Sequence, residues 1–94
     1  MYYVIILKGV YDFYHNIKSM NLTELPINNF ANIVSINCDS SLKKRLLDLG
    51  LVPNTRIYKA FTSPFGDPVA YEFRGNIIAI RKNEAKNIIV TTNS

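Results

Sequence analysis

The sequence predicts a mainly β domain, a small closed barrel of about five short strands with one short α-helix covering an end. Short runs alternate apolar and polar side chains and are separated by turns rich in Gly, Pro and Asn, which is typical of strands. One segment between the first two runs instead repeats Leu at helical spacing. Closing such a sheet leaves no open edge for aggregation, so a barrel is favoured over an open sheet.

Five segments carry the strand pattern. Strict alternation in the first, ANIVSIN, would place Ile33 and Ser35 on one face of the sheet. Val34 and Ile36 would then face the other side. Gly75-Asn76 predicts a two-residue hairpin between the third and fourth segments. The five strands are expected over 31–37, 55–62, 69–74, 77–81 and 88–91, with a single helical turn over 83–86.

The helical segment follows a group of residues that cap helices. Asp39, Ser40 or Ser41 can accept hydrogen bonds from the free N–H groups of its first turn. Lys44 and Asp48 lie four residues apart, so they can pair weakly on the polar face. The apolar face is expected to cover one end of the barrel, and it consists of Leu42, Leu46 and Leu49.

The helix is expected to end at Gly50, which adopts the left-handed conformation without strain. Leu51 can then fold back onto the helix as the usual hydrophobic contact. Pro53 and Asn54 form the next turn, and Asn is the best residue after Gly for a positive φ.

The composition is that of a globular domain with a mild positive charge. The 94 residues are 48% hydrophobic and carry a net charge of +4, which favours anionic partners at long range. The basic residues are scattered, and Lys43-Lys44-Arg45 is the one compact group. A nucleic-acid-binding domain usually has a denser basic face, so we expect no nucleic-acid partner.

No arrangement of residues points to catalysis or to a cofactor. The four glycines lie far apart and fit turns rather than a phosphate-binding loop. Cys38 and His15 are the single cysteine and the single histidine, too few for a closed zinc site. The nearby helix start could lower the pKa of Cys38 a little, but no base lies near it in sequence, so we expect an inert thiol. We therefore predict a binding protein that is not an enzyme and holds no cofactor or metal.

Residues 1–19 are aromatic and aliphatic and differ from the rest of the chain. Residues 2–7 have strand propensity, and the apolar spacing over 10–18 suits a short helix. The apolar run ends at Lys8, far short of the roughly 20 residues of a membrane helix, and no signal-peptide cleavage site follows, so a cytoplasmic protein is expected.

Residues 1–19 are either an extra packed element or a leader upstream of a start at Met20, and the domain itself is expected over 20–94. The aromatic side chains of this extension need a surface to cover, on this chain or on a second copy. A homo-oligomer is therefore an open alternative.

Two surfaces are candidates for binding a partner: the polar face of the helix and the loop 63–68. Phe65 either tucks back into the barrel, which avoids an exposed aromatic ring, or is presented to a partner. Arg45 either contacts a partner or makes a structural salt bridge or bonds to loop carbonyls. The residues predicted to contact a partner are Lys44, Arg45, Asp48, Phe65 and Asp67.

Several stretches in order resemble the ferrous iron transport protein A (FeoA) family, over about residues 20–90. They include R-L-x-x-L-G-L at 45–51, G-D-P at 66–68 and A-I-R-x-x-E-A at 79–85. Asn54 stands where the family usually has Gly, and Asn can take the same left-handed turn.

The resemblance implies an SH3-like barrel and a small cytosolic accessory protein of ferrous iron uptake. Such a protein is expected to bind and regulate a FeoB-type transporter, a membrane protein with a cytosolic G-protein domain, and to meet the membrane only through that partner. The same barrel forms the C-terminal domain of metal-dependent repressors. A metal-responsive regulatory domain is therefore the alternative function.

Overall fold

The computed structural model describes residues 17–93. Six strands, two helices and one 3₁₀ turn lie within this range. The strands are β1 (Ile17–Asn21), β2 (Phe30–Ile36), β3 (Arg56–Thr62), β4 (Val69–Phe73), β5 (Asn76–Ile80) and β6 (Ile88–Asn93). The helices are α1 (Ser40–Asp48) and α2 (Lys82–Ala85), and the 3₁₀ turn is Leu22–Glu24.

All six strands form one antiparallel sheet in the order β1-β6-β2-β3-β4-β5. The mainly β fold with one helix between the first two predicted strands is confirmed, because β2 to β6 correspond to the five predicted segments. Most of the buried side chains form a single hydrophobic core. The core draws on β2, β3, β4, β5 and β6 and is completed by leucines of α1, of the 3₁₀ turn and of the adjoining loops.

Strand β1 was not predicted. It pairs with β6 from Ile17 opposite Asn93 to Asn21 opposite Ile89, and so spans the junction at 19/20 where the sequence analysis separated extension from domain. Its sequence, IKSMN, carries little strand propensity, so pairing with β6 sets its conformation. The helix expected over 10–18 is wrong for its last two residues, and its remainder, like the strand expected over 2–7, lies outside the described residues.

Two β-bulges change which residues face the core. In β2 the register shifts between Ile33 and Ser35, and both Ile33 and Ile36 are buried. The expected alternation is therefore wrong after Ile33, because a bulge inserts one residue and reverses the faces beyond it. In β3 a second shift follows Lys59, and Phe61 beyond it is 56% exposed.

The turn between β4 and β5 is one residue earlier than predicted. Phe73 pairs with Asn76, so the two-residue loop is Arg74-Gly75 rather than Gly75-Asn76. Both loop residues have positive φ, 50° for Arg74 and 78° for Gly75. This is the backbone of the mirror-image turns whose twist matches that of a β-hairpin.

Two polar side chains are buried opposite each other on β3 and β4. Tyr71 pairs with Lys59 and is 1% exposed, and burial, helped by Asp67, raises the pKa of Tyr71 to about 12. The Lys59 ammonium donates a hydrogen bond to the carbonyl of Thr23 at 3.2 Å. Burial, and then the charge of Lys82, lowers the pKa of Lys59, because desolvation disfavours the charged form.

Candidate functional site

Helix α1 is positioned at its start by Asp39. The carboxylate accepts hydrogen bonds from the backbone N–H groups of Ser41 and Leu42, at 3.0 and 3.2 Å, and from the Ser41 hydroxyl. These bonds, that of the Leu42 N–H first, lower the pKa of Asp39. Of the three caps that the sequence allowed, Asp39 is the one in use.

The end of α1 explains which leucines reach the core. Gly50 has φ +97°, its N–H donates to the carbonyl of Leu47, and the Leu51 N–H donates back to that of Leu46. This is a Schellman motif, and it confirms the predicted role of Gly50. Leu46 and Leu51 are fully buried, whereas Leu49 is 38% exposed, so the assignment of Leu49 to the core is wrong. The chain reverses at Gly50 and brings Leu51 to the core in its place.

The predicted polar face of α1 lies on the surface of the protein. Lys44, Arg45 and Asp48 are all exposed. In residues 17–93 no ion pair joins Lys44 to Asp48, so that expectation is wrong. The order Lys before Asp is the less favourable one on a helix, since each charge lies nearer the repelling end of the dipole. Within the same range the Arg45 guanidinium makes no hydrogen bond or ion pair, so neither of the structural contacts considered for it is present.

The loop between β3 and β4 presents Phe65 to solvent. A turn closed by the hydrogen bond from the Gly66 N–H to the Ser63 carbonyl, at 2.8 Å, leaves Phe65 97% exposed. Of the two alternatives for Phe65, the tucked-in ring is therefore wrong, and the side chain points to solvent. Asp67 is exposed but also structural, because its Oδ1 accepts the backbone N–H of Lys82 at 3.0 Å and fixes the loop to the first residue of α2.

An open cleft joins the two candidate surfaces. Arg45 lines it from α1 and Pro68 from the loop, and its volume is about 490 Å³. Arg45 and Glu84 also line a smaller cleft of about 300 Å³. The structure therefore brings Arg45 close to the loop that carries Asp67, whereas Lys44, Asp48 and Phe65 line neither cleft. The other residues of the larger cleft are Ala79, Arg81, Asn83 and Glu84.

Arg81, Asn83 and Glu84 were not among the predicted contact residues. The signal for them was present in the sequence, since all three lie in the A-I-R-x-x-E-A motif. That motif supplies the end of β5 and all of α2. Glu84 Oε1 accepts the backbone N–H of Arg81 at 3.3 Å, which fixes α2 against the end of β5.

Cys38 lies just before α1 in the sequence and is half-buried. Its thiol donates to the carbonyl of Glu84 at 3.5 Å. Burial, and then the charges of Glu84 and Asp39, raise the pKa of the thiol, so the small lowering expected from the helix start is wrong. Among residues 17–93 no three His, Cys, Asp or Glu side chains come together as a metal site, and His15 lies outside that range.

In the described part of the chain no helix is long and apolar enough to cross a membrane. No curated protein matches the chain. A family model described as the FeoA domain matches residues 20–92.

Several solved structures share the fold. The FeoA protein of Chlorobium tepidum is 34% identical, with a TM-score of 0.72 over 76% of this chain and 68% of its own. Stenotrophomonas maltophilia FeoA, solved with zinc and described as an SH3 domain protein, is 26% identical, with a TM-score of 0.67 over 79% of this chain and 96% of its own. A manganese-dependent transcriptional repressor has the same fold at 12% identity and a TM-score of 0.68, over 79% of this chain and 41% of its own.

The family match covers most of the described residues and includes β2 to α2, which build the cleft. The Chlorobium relative supports the same assignment over three quarters of the chain. The chain therefore belongs to the FeoA family of ferrous iron transport and has its SH3-like fold.

Proposed function

We propose that the protein is a cytoplasmic accessory protein of ferrous iron uptake that docks on the cytosolic part of a FeoB-type transporter and regulates it. The family gives the process, and the S. maltophilia relative has been described as a candidate activating factor of bacterial ferrous iron transport. In this proposal the surface that binds the transporter comprises the larger cleft at Arg45, the polar face of α1 and the tip of the loop 63–68.

The exposed and unpaired side chain of Arg45 supports this docking surface best. This side chain is exposed and has no hydrogen-bond or ion-pair partner in residues 17–93, yet it lines the larger cleft together with Pro68 of the loop. A guanidinium presents donors in a fixed fork that suits carboxylates, and Arg is enriched at the centres of protein interfaces. Phe65 supplies a fully exposed aromatic ring on a hydrogen-bonded turn, and aromatic side chains are also enriched at protein interfaces.

The second function, a metal-responsive regulatory domain, has less support. The likeness to the manganese-dependent repressor is at 12% identity and concerns the fold. We therefore place docking on the transporter first.

Calorimetry of the full chain with the purified cytosolic G-protein domain, with and without guanine nucleotide, tests the proposal. Saturable binding is expected in at least one nucleotide state. Arg45→Glu should weaken it about tenfold or more, because it reverses a charge at the interface. Lys18→Glu makes the same charge change on β1, outside the cleft, and should leave the affinity nearly unchanged. Absence of binding in every nucleotide state, or equal effects of the two variants, would contradict the proposal.

A further inference from the structure

A second surface lies on the outer face of the sheet, where β2 pairs with β3. Phe30 stands opposite Tyr58, and their ring centroids are 4.6 Å apart. The guanidinium carbon of Arg56 lies 4.0 Å from the centroid of the Phe30 ring. Phe30 is still 48% exposed, so part of its ring remains open to solvent. We call Phe30, Arg56 and Tyr58 the aromatic ledge.

The ledge is held in place before any ligand arrives. Two of its side chains are cross-strand neighbours on paired strands, and the third lies on the same strand as Tyr58. The Tyr58 hydroxyl also donates to Oδ1 of Asn28 at 2.9 Å. Binding to side chains that are already ordered loses less conformational entropy. Tyr and Arg are also the residue types that most often dominate binding energy at protein interfaces.

Two clefts flank the stack of Phe30 and Arg56. The first, of about 390 Å³, is completed by Ala31, Asn32, Thr91 and Thr92, and its one charged group is the guanidinium of Arg56. The second, of about 380 Å³, adds the rings of Tyr58 and Phe73 and the charged side chains of Glu72 and Arg74. The first cleft therefore suits an anionic group, and the second offers three aromatic rings beside charges of both signs.

The guanidinium of the ledge has no ion-pair partner within residues 17–93. The Arg56 side chain makes no hydrogen bond or ion pair there, although Glu72 lines the second cleft together with it. Stacking occupies the face of a guanidinium and leaves its N–H edge, which can hold a carboxylate through two hydrogen bonds. With a net charge of +4, the chain as a whole attracts an acidic partner better than a second copy of itself.

We propose that the aromatic ledge binds an acidic peptide segment of a protein partner. A carboxylate of the segment occupies the first cleft on Arg56, and a neighbouring apolar side chain covers the open part of the Phe30 ring. The ledge shares no residue with the cleft at Arg45. If the ledge binds no acidic segment, the proposed docking surface on α1 is unaffected, and the reverse also holds.

A selection of short random peptides displayed against the immobilised full-length protein tests this proposal. Enriched peptides should combine Asp or Glu with an apolar residue, and amide versions of those acids should bind more weakly. Arg56→Gln and Phe30→Ala should each raise the dissociation constant of synthesised peptides about tenfold. Lys86→Gln removes an exposed charge elsewhere, and Phe61→Ala removes an exposed ring further along β3, so both should leave the affinity nearly unchanged. Thermal unfolding of each variant checks that the fold is intact.

Three results would overturn the proposal. One is enrichment of no peptides, or of peptides without carboxylates. Another is equal binding by the native protein and Arg56→Gln. The third is a different occupant of the ledge, detected by magnetic resonance signals of Phe30 and Arg56. A response to a single-stranded oligonucleotide would assign the ledge to nucleic acid, and a response to protein concentration would assign it to a second copy. Contacts with residues 1–16 would assign it to the chain's own N-terminal segment.

Discussion

Leu46→Ala and Leu49→Ala make the same chemical change on one turn of chain, and we expect very different losses of stability. Leu46 is fully buried in the core, whereas Leu49 is 38% exposed beyond the last residue of α1. Removing a buried Leu side chain costs about 2–5 kcal/mol, because the transfer free energy is lost and a cavity remains. A domain of this length has a total stability of roughly 5–14 kcal/mol, so Leu46→Ala removes a large fraction of it.

Urea unfolding of the native protein and both variants measures these losses as shifts of the midpoint at constant slope. Leu49→Ala should cost about 1 kcal/mol or less, as is usual for a partly exposed position. Leu51→Ala should behave like Leu46→Ala, since Leu51 takes the core position beyond Gly50. Equal losses for Leu46→Ala and Leu49→Ala, or a near-neutral Leu51→Ala, would refute the reasoning that the Schellman motif exchanges Leu49 for Leu51.

The remaining predictions concern the turns, the helix cap and the buried tyrosine. Gly50→Ala should destabilise the protein more than Gly75→Ala in urea unfolding. Both sites have positive φ, which costs Ala about 1–2 kcal/mol of strain. In addition, a Cβ at Gly50 would lie 3.1 Å from Cδ of Arg74, whereas a Cβ at Gly75 meets nothing within 4 Å. Equal losses would show that the Arg74 contact is relieved without cost. Asp39→Ala should cost about 1 kcal/mol and Asp39→Asn much less, because Asn keeps the capping oxygen; identical unfolding midpoints for the two variants would argue against the cap. The pKa of Tyr71 is raised to about 12, so the folded state binds this proton more tightly and stability is lost as pH rises from 10 towards 12. Tyr71→Phe should remove that part of the alkaline loss in unfolding curves, and an unchanged pH profile would contradict the assignment.

Local backbone chemistry made several features predictable from the sequence. The positive φ of Gly50 and that of Asn54, +73°, follow from residue type, and the five strands from β2 to β6 follow from alternation and turn residues. The replacement of Leu49 by Leu51 in the core was harder to predict from the sequence. Helical periodicity alone assigns Leu49 to the apolar face, although the chain leaves the helix at this point and reverses at Gly50.

Features that depend on pairing between distant segments could not be predicted. Strand β1 exists because β6 pairs with it, and the two bulges arise from register between strands. For the same reason the aromatic ledge was invisible: Phe30 and Tyr58 are far apart in sequence and meet only through the pairing of β2 with β3. In the candidate site, the sequence identified Arg45 but not the cleft that Arg81 and Glu84 complete with it.

The most direct test of the docking proposal is an amide magnetic resonance titration of the isotope-labelled full chain with the unlabelled G-protein domain of its transporter. Signals of Arg45, Phe65 and Arg81 are expected to shift or broaden in a saturable way. Changes confined to Phe30 and Arg56, or no changes in any nucleotide state, would contradict the claim that α1 and the loop form the docking surface.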